Sequence, residues 1–227
     1  GLAQLRAGGS DAVKARRPVV LGLTGGIAMG KSQASETFRR LGVAVFDADA
    51  TVHEIMAPCG RGYGAVRAMF PGVVAENGRV DRKRLGAMVF AKPEDLRRLE
   101  SVLHPLVSEA REYFLRRARA LGAPLVVLDV PLLFETGGDS RCDYVAVVSA
   151  PSFVQRHRAL RRAGMTEAKL AGILARQTPD AEKRHRADFV IPTGLGRKLS
   201  LSVIKHIRKI LSDPGLLRRL VRKPRSA

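Results

Sequence analysis

The chain has 227 residues, 45% of them hydrophobic, and its 40 Lys and Arg against 21 Asp and Glu give a formal charge of +19. That is enough apolar material for one good-sized core, while no apolar run approaches the ~18 residues of a membrane span. Two cysteines, Cys59 and Cys142, are too few for a disulfide framework or a zinc site and read as small buried or half-buried side chains.

Residues 1–18 lack the apolar middle of a secretory signal and read as a disordered, mildly basic tail, which with the cysteine usage predicts a cytoplasmic protein. The positive charge is uneven: residues 151–227 hold 19 Lys and Arg against 5 Asp and Glu. Such a face suits anionic partners, either nucleic acid or a phosphate-rich small molecule. The chain has no Trp and no recognisable nucleic-acid module, so specific nucleic-acid binding is not expected.

The apolar run Val19-Val20-Leu21-Gly22-Leu23 reads as a buried strand and leads into Gly25-Gly26-Ile27-Ala28-Met29-Gly30-Lys31-Ser32. This stretch fits G-x-x-x-x-G-K-[ST], and a helix is predicted over 31–40 behind it. Strand, Gly-rich turn and helix start together make a phosphate cradle, because the first N–H groups of a helix have no intrahelical partner and can point at an anion. Gly25 and Gly30 allow the close turn, Lys31 can reach the β- and γ-phosphates of ATP, and the Ser32 hydroxyl can ligate Mg²⁺.

Val43 to Phe46 reads as a second strand ending in Asp47-Ala48-Asp49. Asp49 is placed to cap a helix beginning near Thr51. A carboxylate at a strand's C-terminal end also faces the ligand crevice of an open α/β sheet, where a base for a hydroxyl nucleophile is wanted. From 58 to 122 the pattern becomes a helical insert. Gly60 to Gly64 is a flexible turn, Asn77-Gly78 turns between Val73-Val74 and Val80, Asp81 caps a helix carrying Arg82, and Pro93 starts another. His104-Pro105 is expected to interrupt that helix, with a further one from Leu106 to Ala120.

Leu125 to Asp129 is a continuous apolar run closed by an acid, as a fully buried parallel strand should read, and Asp129 can complete the magnesium shell opposite Ser32. Glu135 ends the apolar loop that follows, and Tyr144 to Val148 is the next strand. Helices after Pro151, from Thr166 to Gln177 and from Pro179 to about His185 carry Arg158 and Arg162, four apart on one face. Ala187 to Ile191 is the last strand, Pro192-Thr193-Gly194 a tight turn, and 197–211 a closing helix, with a loose basic tail over 213–227.

Alternating strands and helices around a phosphate loop predict a three-layer α/β architecture: a doubly wound, parallel, five-stranded sheet of P-loop kinase type. In this reading one domain spans 19–212, with core segments 19–57, 123–150 and 187–212, a helical insert at 58–122 and a run of helices at 151–186.

The runs Thr24–Ser32 (TGGIAMGKS), Phe46–Asp49 (FDAD), Asp81–Leu85 (DRKRL) with the later Val89-Phe90, Leu103–Pro105 (LHP), Asp129–Glu135 (DVPLLFE) and Ala187–Ile191 (ADFVI) together resemble dephospho-CoA kinase over roughly 19–211. The resemblance implies ATP-dependent phosphorylation of the ribose 3′-hydroxyl of dephospho-coenzyme A, the last step of coenzyme A synthesis. Lys31, Asp49 and Arg162 would be catalytic, with Asp49 as the base. Gly25, Gly26, Ala28, Met29, Gly30, Lys31, Ser32, Gln33, Arg158, Thr193 and Gly194 would hold ATP, and Ser32 with Asp129 would hold Mg²⁺. Asp49, Arg82, His104, Leu132 and Glu135 would border the substrate, the 58–122 insert would be the CoA-binding region, and the 151–186 helices with Arg158 and Arg162 would be a lid, in a protein expected to be monomeric. The chain departs from the family pattern at Ala28-Met29 for Gly-Ser, Gln33 for Thr, Ala163 for an acid and Pro192-Thr193 for Asp-Asn. The rival expectations are another small phosphate-loop kinase and a nucleotide-gated nucleic-acid binder.

Overall fold

Five short runs pair into a single all-parallel sheet: β1 (Val19–Thr24), β2 (Ala44–Asp47), β3 (Leu125–Asp129), β4 (Tyr144–Ser149) and β5 (Phe189–Pro192), in the spatial order β2-β3-β1-β4-β5. The structure is a computed structural model that describes residues 17–194 and 196–219. The tails expected at 1–18 and 213–227 fall mostly outside the described residues. Where they are described they are ordered, since Arg17 pairs with Asp143 at 2.7 Å and Pro214–Arg219 is helical.

Between the strands run α1 (Lys31–Arg40), α2 (Ala48–Ile55), α3 (Tyr63–Met69), α4 (Arg82–Ala91), α5 (Pro93–Ala120), α6 (Ser152–Leu160), α7 (Glu167–Leu174), α8 (Asp180–Arg186), α9 (Arg197–Ser212) and α10 (Pro214–Arg219). Parallel strands need covered faces, and both faces are covered. Phe38 of α1 and Ile204, Ile207 and Leu211 of α9 pack with Leu21, Leu23, Val127 and Val148 on one side. Phe46, Ala118, Val126, Leu128, Leu133 and Val145 fill the other. Three layers result, as the alternation of strands and helices predicts. The register sets β1 Leu23 beside β3 Asp129, and β2 Asp47 beside the same residue. The C-terminal strand ends thus gather the phosphate loop and both acids at the point where the strand order reverses, the position an open α/β sheet offers to a ligand.

The insert has its own apolar cluster of Ile55, Met56, Val66, Phe70, Val73, Leu85, Val89, Leu99 and Leu103. Its details correct two expectations, at 60–64 and at Pro105, and the Asn77-Gly78 turn falls where the sequence places it. The glycine-rich 60–64 stretch runs directly into helix α3. The turn at Asn77-Gly78 closes an antiparallel bridge between Val74 and Val80. Helix α5 is continuous for 28 residues with Pro105 inside it. Proline there removes one helical hydrogen bond, but Leu99 and Leu103 are buried in the insert while Val107, Ala110 and Phe114 pack against the sheet. Burial on both sides of the proline outweighs the missing bond. Cys142 is buried in the sheet's cluster, whereas Cys59, in the link from α2 to α3, is exposed. Among the described residues no helix is long and apolar enough to cross a membrane.

Candidate active site

The phosphate loop is shaped by what its backbone cannot accommodate. A Cβ on Gly25 would lie 2.8 Å from the Val148 carbonyl oxygen, and Gly30 has φ 95°, in the left-handed region that glycine favours. Ala28 adopts φ 60° without being glycine, a conformation that costs an alanine about 1–2 kcal/mol. Its methyl lies in a small cluster with Ala159 and Leu170 of the lid, and that contact offsets part of the cost. The main-chain N–H groups of Ala28, Gly30, Lys31 and Ser32 donate to no acceptor among the described residues. The first turn of α1 has no acidic side chain to compete for them, so the cradle fits a polyphosphate.

Lys31 Nζ sits 2.5 Å from Asp129 Oδ1. Asp129 is 2% exposed at the end of β3, and burial pushes its carboxyl above the ordinary range despite the pull of Lys31 and Ser35. With the Ser32 hydroxyl in the same cavity it supplies hard oxygen donors of the kind Mg²⁺ takes. Among the described residues no cluster of three or more His, Cys, Asp or Glu is placed to hold a metal.

The cap of α2 is Asp47, not Asp49. Its Oδ1 accepts from Ala50 N at 3.0 Å, and the helix begins at Ala48. The reason is local. An N-cap bonds the N–H two or three residues on, so a helix starting at Ala48 takes its cap from Asp47. Asp49 is thereby free and exposed in the first turn. It opens into a cavity of about 360 Å³ with Lys31, Ser32, Asp129 and Arg82. Ser35, Arg39 and His53 also line this space, and none of them was singled out in the sequence.

A second cavity, of about 620 Å³, is lined by Ala28, Gly30, Gln33, Arg158, Arg162, Thr193 and Gly194. It shares Ser32 with the first. Arg197 and Ser200 of α9 also reach it; the apolar spacing of that helix had pointed to packing alone. Arg158 donates to the Thr193 carbonyl at 2.7 Å and to its hydroxyl at 3.2 Å, and that hydroxyl donates to the Met29 carbonyl. The Met29 side chain is turned into the core, its sulfur accepting from Ala150 N at 3.2 Å. The Met29 main chain is engaged as well, its N–H on the Gly26 carbonyl and its carbonyl under the Thr193 hydroxyl, so Met29 shapes the loop and offers no free polar group to a nucleotide. Gly26 serves the loop through its carbonyl, which accepts from Met29 N.

His104 lies elsewhere, in a mostly apolar cavity of about 460 Å³ between α5 and the ends of β2 and β3, with Val52, Leu103, Val107 and Arg111. Leu132 is half-exposed and lines none of these three cavities. Neither does Glu135, whose carboxylate accepts from Thr178 N at 2.9 Å and pairs at 2.8 Å with the fully buried Lys183. Burial pushes the Glu135 carboxyl up, while the Lys183 ammonium beside it and main-chain N–H groups bring it below its ordinary value. Glu135 therefore ties the stretch after β3 to Thr178 and α8 rather than walling the Asp49 cavity.

A family model described as dephospho-CoA kinase matches residues 19–195. A dephospho-CoA kinase of Rhodospirillum rubrum is 54% identical over 187 residues, covering 82% of this chain and 89% of that protein. One of Paramagnetospirillum magneticum is 58% identical over 165 residues, covering 73% and 77%. A crystal structure of a Thermus thermophilus protein superposes with a TM-score of 0.74 at 31% identity, covering 91% of this chain and all of the other. The dephospho-CoA kinase of Campylobacter jejuni has the same fold, with a TM-score of 0.63 at 22% identity, covering 85% of this chain and 96% of its own. The family match spans the phosphate loop, the strand-end acids and Arg158 and Arg162, and on that match and these relatives the chain belongs to the dephospho-CoA kinase family.

Proposed function

We propose that the ATP-dependent phosphorylation of dephospho-CoA by this chain, the last step of coenzyme A biosynthesis, takes place at Ser32, where the two cavities meet. ATP would lie in the larger one, its phosphates on the free N–H groups of the loop. The ribose 3′-hydroxyl of the acceptor would enter the smaller one beside Asp49. The observation that carries this reading is the company Asp49 keeps: a carboxylate relieved of capping, in one cavity with Lys31, Ser32 and Asp129.

The residues divide the work as phosphoryl transfer requires, positioning first and charge neutralisation second. Asp49 orients the hydroxyl and accepts its proton. Lys31 would reach the β- and γ-phosphates, and Asp129 with Ser32 would hold Mg²⁺. Mg²⁺ there would neutralise phosphate charge. Arg162 faces the same phosphates from the lid and offsets charge on the transferring group. Arg158, Thr193 and Gly194 border the nucleotide, and Arg82 borders the acceptor. The apolar cavity beside α2, with His104 and Arg111 on its wall, suits the pantetheine arm. The reading calls for a single chain, small-molecule substrates and a cytoplasmic location.

Incubation with ATP, Mg²⁺ and dephospho-CoA, with mass detection of the product, should yield coenzyme A and one equivalent of ADP. Faster ADP release with a nucleoside or nucleoside monophosphate than with dephospho-CoA would replace the acceptor and leave the site standing.

A further inference from the structure

Two glutamines, 22 positions apart in sequence, grip the same residue of the phosphate loop. Gln155 Nε2 donates to the Ile27 carbonyl at 2.9 Å, and Ile27 N donates to Gln177 Oε1 at 3.1 Å. Gln155 lies near the start of α6 and Gln177 just past the end of α7, so they stand at the two feet of the 156–176 excursion that carries Arg158 and Arg162. Gln155 is 8% exposed, and a buried amide held this way is matched rather than idle.

The peptide plane turns these two contacts into aim. A trans peptide points its C=O and the following N–H in opposite directions. Holding the Ile27 carbonyl toward Gln155 therefore sends the Ala28 N–H the other way, and Ala28 lines the nucleotide cavity. Holding Ile27 N toward Gln177 turns the Gly26 carbonyl back, where it accepts from Met29 N at 3.2 Å and closes the turn. Side chains repeat the coupling, because Ala28 is buried against Ala159 and Leu170 of the lid, with Ile27, Leu160 and Met165 around them.

We infer that Gln155 and Gln177 are positioning residues for phosphotransfer: they set the loop's N–H groups on the nucleotide and tie nucleotide affinity to the seating of the lid. The inference rests on ATP lying at this loop, as proposed above. Failure of that placement would appear as absent ATP binding in the parent protein, whereas failure of the bracket would appear as unchanged binding in the variants.

The test uses Gln155→Met and Gln177→Met, which keep the side-chain length and remove the amide, in the full chain. Each should raise the ATP dissociation constant about tenfold, the worth of one such hydrogen bond. The KM for dephospho-CoA should move less than about twofold. The double variant should fall well short of the product of the two single effects, because both amides hold one residue. Tryptic cleavage after Arg161 and Arg162 in the nucleotide-free protein should quicken in both variants. Met variants that bind ATP within about twofold of the parent, whatever their melting temperature, would reduce the glutamines to packing and overturn the inference. Fully multiplicative effects would overturn it too. Should a Met variant fail to fold, Gln155→Asn and Gln177→Asn, which keep the amide one carbon short of Ile27, put the same expectations at risk.

Discussion

The 58–122 insert and the 151–186 helices proposed as a lid are fastened to the sheet by different chemistry. The insert joins through α5, apolar on both sides of Pro105 and packed into two clusters at once. The lid joins chiefly through partly buried polar groups, Glu135 with Lys183 and Thr178, Ser149 with Asp180 at 2.7 Å, and the two glutamines with Ile27, beside one small apolar seam at Ala28, Ala159 and Leu170. Apolar attraction is non-directional and fades gradually as faces slide. A hydrogen bond weakens steeply off its line, and a buried polar group left unmatched carries a penalty of its own. The insert is therefore a yielding wall, and the base of the lid is either in register or costly.

The largest expected effect tests whether catalysis is separate from both fastenings. Asp49→Asn touches neither, and its turnover should fall about 10²–10⁴-fold with the ATP dissociation constant and melting temperature nearly those of the parent. An Asn variant turning over at near the parent rate would remove Asp49 as the base.

Urea unfolding of two variants compares the fastenings directly. Glu135→Gln leaves the Lys183 ammonium, 0% exposed, without its anion, a loss of about 3–5 kcal/mol. Adding Lys183→Met should restore much of it. Leu103→Ala should cost about 2–5 kcal/mol through its cavity, toward the lower end because the insert can settle around it, and it has no such rescue. Equal additivity in both regions would erase the distinction.

The next effect is set by pH. The Glu135 carboxyl lies below an ordinary glutamate's 4.5, so its contribution is present above that value and drains away as pH falls through the folded one. The parent should lose resistance of the lid to acid-stable proteases on acidification below about 4.5, and Glu135→Gln should show a flatter profile. A variant with the parent's pH profile would assign the acid sensitivity to another group.

The smallest effect is expected at the seam between loop and lid. Ala28→Gly relieves the left-handed alanine but gives up its methyl contact and adds chain freedom in the unfolded state, so stability should stay within about 1 kcal/mol of the parent. A loss well beyond that, read in the same urea titration, would mean that the methyl contact outweighs the strain.

Much of this was legible in the sequence because the physics was local. Leu125–Asp129 is five buried residues in a row, and a run of that kind closed by an acid has few other readings. The phosphate loop declares itself through spacing, and Asp81 caps α4 by accepting from Lys83 N and Arg84 N. What was hidden depends on competition or on distance along the chain. Asp47 and Asp49 compete for one cap, and a one-turn difference in where α2 starts decides between them. Pro105 sits inside α5 because packing at remote positions overrides a local preference. Glu135 looks like a ligand residue until the buried Lys183, far along the chain, claims it. Gln155 and Gln177 leave no pattern at all, since an amide's role is fixed only by the peptide it meets.

The unequal surroundings of the two thiols have a practical consequence. A bulky maleimide can reach Cys59 but not Cys142, so the unmodified chain already carries a single handle for a fluorophore. That handle sits where the helix bearing Asp49 passes into the insert, so a dye can be placed beside the proposed acceptor side of the site without any engineered residue.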